Sequence, residues 1–168
     1  MDYSKAEYKL ARSFLRNVLK VDEKIFDPKH IVYLENNCDV AIRGSRKHRY
    51  VRPSKCIKFE LKASDSKHHK TNAGWDDYTW GYTYHGTTPN AQIVNSILKN
   101  GLQSSGKSGV QAQYGQKHGK GIYTTFIPFL AELYGGAVKY KGKWVRVLFK
   151  CRIDPDFKAK GGMTAKLS

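Results

Sequence analysis

Leu10, Ala11, Phe14, Leu15, Val18 and Leu19 recur at helical spacing, while Lys5, Lys9, Arg12, Arg16 and Lys20 track the opposite side. The pattern predicts a helix over 5–20 that buries one stripe against a partner surface and leaves a solvated basic face. Ser4 followed three residues later by Glu7 has the form of a capping box and sets its expected start. Residues 22–55 are mixed, punctuated by Pro28, Gly44 and Pro53, with short apolar runs at 31–34 and 40–42 that suit strands. Over 56–62 apolar and charged residues alternate, the mark of a half-buried strand. Residues 65–72 are polar and predict a loop. The aromatic-rich segment 75–84 is a second strand candidate and leads directly into His85-Gly86-Thr87.

Thr88 is placed to cap a helix whose first residue is Pro89, where a missing N–H costs nothing. Ile93, Val94, Ile97 and Leu98 would form its inner face, and Asn100-Gly101 would end it. A Gly/Ser/Gln-rich loop is expected over 103–120, a strand over 121–125, and a short helix over 128–134 stopped by Gly135-Gly136. Residues 144–153 read as one strand, apolar enough to be central, and a Lys/Gly-rich tail follows. Helices and strands in this order predict an α+β fold. An N-terminal helix with an irregular extension would occupy 1–47 and the main domain 48–168.

Composition narrows the class. The 168 residues are 40% hydrophobic and 26% charged, ordinary for one globular domain. No run of about 18 apolar residues suggests a membrane span, and the first residues lack a secretory pattern. Cys38, Cys56 and Cys151 are odd in number and far apart, which favours reduced thiols in an intracellular protein of cytoplasm or nucleus. Neither they nor His68-His69 show paired metal-ligand spacing, so no metal is expected. The formal charge is +16, with 17 basic against 9 acidic residues over 1–72 and 13 against 5 over 73–168. The excess is therefore spread along the chain. It suits polyanions, nucleic acid among them, or an anionic dinucleotide. It is densest over 43–70, with ten basic residues.

Singly, a histidine ending a strand, a strand tyrosine and a glycine-rich loop each have ordinary structural readings. Their order is more specific. His85-Gly86-Thr87 is followed by a helix closing on Leu98-Lys99-Asn100-Gly101-Leu102, then a glycine-rich loop, then Gly119-Lys120-Gly121-Ile122-Tyr123, then Tyr134 eleven residues later. That set resembles the catalytic domain of the poly(ADP-ribose) polymerase-like ADP-ribosyltransferases, over about residues 48–155. Within the family, Tyr50 to Pro53, the 56–62 strand and the approach to His-Gly-Thr are most similar to modules associated with Neuralized-like proteins.

The resemblance implies a split β-sheet core and NAD as co-substrate, with nicotinamide released and ADP-ribose passed to a macromolecular acceptor. Breaking the nicotinamide–ribose bond passes through an oxocarbenium-like transition state, so both rings must be pinned. By resemblance Tyr134 stacks on nicotinamide and Tyr123 braces the same pocket. The Gly86 backbone bonds the carboxamide, and the His85 imidazole and Thr87 hydroxyl bond the ribose on the adenosine side. His85 and Tyr123 are thus the expected catalytic pair, with His85 positioning rather than acting as a base. Gly119 and Gly121 would permit a tight turn into Tyr123. Lys107, Lys117, His118 and Lys120 would meet the pyrophosphate from the covering loop.

Two departures stand out. The family completes its site with a glutamate on a late strand, whereas here no Glu follows Glu132. The expectation is a domain incomplete at its C-terminal end or one that has lost transfer activity. Asp154 and Asp156 follow the 144–153 strand too closely to replace that carboxylate. The family's serine three residues before the second tyrosine is Ala131 here, a loss on the order of 1 kcal/mol of carboxamide bonding. Three readings remain: a transferase acting as a single-unit modifier, a binding module for NAD, ADP-ribose or protein, and a basic RNA-binding or RNA-processing protein. RNA 2′-phosphotransferases share the fold, but Gly-Ile-Tyr at the second motif disfavours them.

Overall fold

The computed structural model describes residues 3–35, 40–43, 48–62, 81–103 and 121–153. Helix α1 spans Tyr3–Asn17. It already includes Ser4, so the expected capping box does not mark its start. It ends three residues before the expected Lys20, yet the apolar stripe is still used: Phe14 and Leu19 are buried with Val21, and Leu15 and Val18 pack beside them. The Val18 and Leu19 N–H groups donate to the Phe14 carbonyl and Val21 N–H to that of Leu15, while Lys20, at φ 53, reverses the chain.

A 3-10 turn at Glu23–Ile25, capped by the Asp22 side chain, holds Glu23 against the basic face of α1. Arg12 donates to Glu23 through Nε at 2.8 Å and also through Nη2, and Arg16 Nη2 donates at 2.9 Å. The hydrogen bond from Arg12, helped by Arg16, holds the Glu23 carboxyl below the usual carboxylate range against the opposing pull of burial. A depressed folded-state pKa gives stability that is present above the ordinary carboxylate range and lost as pH falls through it. Glu23→Gln should therefore flatten the acid limb of a melting-temperature profile below about pH 5. An acid limb parallel to the wild type's would exclude this pair as a contributor.

Four strands follow: β1 Phe26–Leu34, β2 Val40–Arg43, β3 His48–Val51 and β4 Cys56–Leu61. β1 pairs antiparallel with β4, and β2 with β3. β1 is longer than the apolar run at 31–34 suggests. Its first part is a bulge, since the register shifts between Phe26↔Leu61 and Ile31↔Phe59. Pro28 sits inside that bulge, where a residue with no N–H costs no ladder bond. β3 escaped the sequence reading because His48-Arg49-Tyr50 carries no clear alternation.

β5 is Gly81–Thr87 and α2 is Ala91–Asn100. The part of the expected strand before Gly81 lies outside the described residues, as do the 104–120 loop residues, His68-His69 and Cys38. Asn90, not Thr88, caps α2: its side chain accepts from Ile93 N–H at 3.2 Å, so Pro89 precedes the helix instead of opening it. Of the expected inner face, Val94 is buried, Ile97 and Leu98 are half-buried, and Ile93 is exposed. Gly101 ends the helix as expected. α3 is Pro128–Gly135.

The expected strand at 144–153 is two strands. β6 Val138–Tyr140 and β7 Lys143–Val145 form a hairpin, and β8 Val147–Ile153 begins after Arg146. The hairpin turn is Lys141-Gly142, both at positive φ (46° and 79°). Two-residue turns of this kind match strand twist, and a Lys-Gly pair signals them less plainly than Asn-Gly.

β8 pairs with β5 antiparallel through all seven residues of each. Side chains alternate across a strand, and both faces of this ladder are covered. Val147 and Phe149 join Phe14, Leu19, Val21, Phe26 and Val94 on one face, and Tyr84 and Leu148 pack with Tyr50 and Ala131 on the other. Segments on both sides of residue 47 thus contribute to one cluster. The described residues form a mixed α+β arrangement of three α-helices and small antiparallel sheets.

Candidate functional site

The edge of β5 away from β8 is where the two sequence motifs meet. Tyr84 N–H donates to the Thr125 carbonyl at 2.7 Å and Thr125 N–H donates back at 3.0 Å. The expected strand at 121–125 is reduced to this one antiparallel bridge. One residue along β5, the His85 imidazole leaves the opposite face and its Nδ1 lies 2.9 Å from the Tyr123 carbonyl oxygen, 38 residues away in sequence. A carbonyl oxygen only accepts, so Nδ1 carries the hydrogen. Nε2 of the neutral ring is then the acceptor, oriented by a fixed partner.

Gly86 has two roles written into its position. In an antiparallel ladder the backbone groups of successive residues point to alternate edges. Tyr84 spends its N–H and C=O on Thr125, so Gly86 presents its own on that same edge, away from β8. Among the described residues no hydrogen bond meets them there. The other role is steric. A Cβ on Gly86 would lie 1.7 Å from the Ala131 carbonyl oxygen, because α3 crosses β5 at backbone contact. Gly135 answers from the helix: a Cβ there would lie 2.6 Å from Thr87 N. Only glycine permits this approach.

In sequence, Gly135-Gly136 together suggest a helix stop. The stop belongs to Gly136 (φ 71), while Gly135 is a packing residue. Its signal was present, since a glycine inside a short helix commonly marks close approach.

The remaining candidates are placed as follows. Tyr134 sits beside Gly135 near the end of α3 with its side chain 61 % exposed, and Tyr123 is 46 % exposed. Thr87 is buried. Ala131 is buried with its carbonyl against Gly86. Gly121 has neither a left-handed φ nor any atom within 4 Å of where a Cβ would stand, so the tight-turn requirement expected there is not met. Gly119, Lys107, Lys117, His118 and Lys120 lie outside the described residues, as do Asp154 and Asp156.

Behind the edge, Tyr84 is 1 % exposed and its hydroxyl is buried without a hydrogen-bond partner among the described residues. Burial raises its pKa well above the ordinary phenol, with Tyr50 and Cys56 adding to the effect and Arg52 opposing it. The Cys56 thiol is pushed up to about 11 by burial and by Glu132, and Cys151 to about 12 by burial. Both stay protonated at neutral pH, so neither is an activated nucleophile. This edge of β5 thus places the His85 imidazole beside the half-buried N–H and C=O of Gly86, while the Tyr123 and Tyr134 rings are exposed.

Among the described residues no group of His, Cys, Asp and Glu is placed to hold a metal, and no helix is long and apolar enough to cross a membrane. Comparisons with protein-family models, with curated proteins and with solved structures find no match to this chain.

Proposed function

We propose that this chain is an NAD-dependent ADP-ribosyltransferase of the poly(ADP-ribose) polymerase-like type, passing single ADP-ribose units to a macromolecular acceptor. The observation that carries the proposal is the His85 Nδ1–Tyr123 oxygen contact, which ties two motifs together beside the open backbone of Gly86. A nicotinamide carboxamide is one donor group and one acceptor, the complement of one N–H and one C=O. Gly86 presents that pair on the edge of β5 away from β8.

NAD, when bound, supplies the nicotinamide–ribose bond to be cleaved. Gly86 would hold the carboxamide, the Tyr134 ring would stack on nicotinamide, and Tyr123 would brace the pocket. His85 Nε2 would accept from a ribose hydroxyl, and Thr87 would assist on the adenosine side. In this reading the β5–β8 ladder is part of a split-sheet core.

A binding module without transfer is the second reading, favoured by one observation. Glu132, the last glutamate of the sequence, sits half-buried on α3 with its charge felt by Cys56, and no described carboxylate is hydrogen-bonded to the groups lining the Gly86 edge.

NAD or a non-hydrolysable analogue should raise the melting temperature, since a ligand at a hundred times its Kd stabilises by about 2.7 kcal/mol. Tyr134→Ala, at an exposed position, should abolish the rise while leaving the unliganded melting temperature in place. A full shift in that variant would rule out stacking on Tyr134. Labelled NAD then separates the two readings: modified acceptor or released nicotinamide marks the enzyme, and binding alone marks the module.

A further inference from the structure

The β6–β7 hairpin has two unlike faces. Val138, Tyr140 and Val145 pack into the cluster around α1. The Tyr140 ring meets Phe14 edge-on at 5.3 Å, and its hydroxyl is 2.7 Å from Ser13 Oγ. Lys141 at the turn donates to Ser13 Oγ at 3.0 Å, and Lys143 lies 4.0 Å from Glu7. The hairpin is thus pinned to α1 from its stem to its tip.

Its outer face carries Lys139 and Trp144, directly opposite each other across the two strands. Trp144 is 68 % exposed, the most exposed large hydrophobic side chain among the described residues. Arg146, two residues further on, is exposed too. Residues 138–146 hold four cations and no acid, in a chain of formal charge +16. Neither Lys139 nor Arg146 is ion-paired among the described residues.

We propose that this face binds single-stranded nucleic acid, with Trp144 as a stacking platform for a base and Lys139 and Arg146 beside it for the flanking phosphates. Stacking needs a flat ring already held in the open, because an ordered platform loses little entropy on binding. A hairpin anchored along its length provides that. Cations on either side of the ring supply the sequence-independent attraction to a phosphate backbone. An anionic membrane would be a poorer fit, since one ring between cations offers little apolar area to insert. The proposal is independent of NAD.

Binding of the full chain to a labelled oligouridylate, followed by fluorescence anisotropy at several salt concentrations, tests it. Trp144→Ala should weaken binding roughly tenfold without moving the melting temperature, and Trp144→Phe, which keeps a ring, should retain most of the affinity. Lys139→Gln combined with Arg146→Gln should reduce the slope of log affinity against log salt by about 1.4, at about 0.7 per phosphate contact. Wild-type affinity in Trp144→Ala, or an unchanged slope in the double variant, overturns the proposal. So does Trp144-dependent binding to phosphatidylserine vesicles without binding to the oligonucleotide.

Discussion

Gly86→Ala should cost at least about 3 kcal/mol of folding stability, at the upper end of what overpacking a buried site does. The added carbon would have to occupy space 1.7 Å from the Ala131 carbonyl oxygen and 3.1 Å from Gly135 N. Both obstacles are backbone, so no side chain can swing aside. Relief requires α3 to lift from β5, which uncovers Tyr84 and Ala131 in the cluster they share with Tyr50. Gly121→Ala is the matched control: with nothing within 4 Å of the new carbon, it should change stability by no more than about 0.5 kcal/mol. Urea denaturation of both variants measures the difference. Equal midpoints would mean that α3 does not sit at backbone contact with β5.

Leu19→Ala should cost about 2–5 kcal/mol, the range for emptying a fully buried leucine site. Leu19 is 0 % exposed and packs with Phe14, Val21, Phe26 and Val94. Its carbonyl also accepts from Asn95 Nδ2 at 2.7 Å, which ties the segment just after α1 to α2. The variant therefore reports whether the N-terminal helix melts with the rest of the fold. A single transition at a lowered urea midpoint is the expected result. A loss under about 1 kcal/mol, or a separate early transition, would show that residues 3–21 belong to a unit of their own.

Side-chain periodicity made α1, β4 and α2 legible, and α3 was marked by the Gly135-Gly136 at its end. Elements whose cause is not periodic were missed. The β6–β7 hairpin turns at Lys141-Gly142 through backbone dihedrals, not hydropathy, and what reads as one apolar strand over 144–153 breaks at Arg146 into β7 and β8. β3 is held by its antiparallel pairing with β2 and by the bond from Val51 N–H to the Phe126 carbonyl, 75 residues of sequence away and unreadable locally. The cap of α2 fell to Asn90, whose side chain reaches Ile93 N–H from a position two residues later than the sequence suggested.

At the candidate site, motif order singled out His85 and Tyr123, and the two segments lie within hydrogen-bond distance. What the sequence could not convey is that the contact to Tyr123 runs through its carbonyl, a group every residue owns. Gly121 shows the reverse case, where a motif glycine has no steric need the structure reveals.

The glycine-on-glycine seam between β5 and α3 carries a consequence for interpreting such motifs. Position 86 is dictated by the helix behind the strand as much as by anything bound in front of it. A descendant chain that had stopped handling ligand would still be obliged to keep that glycine, or lose its architecture. The glycine of His-Gly-Thr therefore testifies to how the sheet is backed, and evidence of catalysis has to come from the groups that face outward.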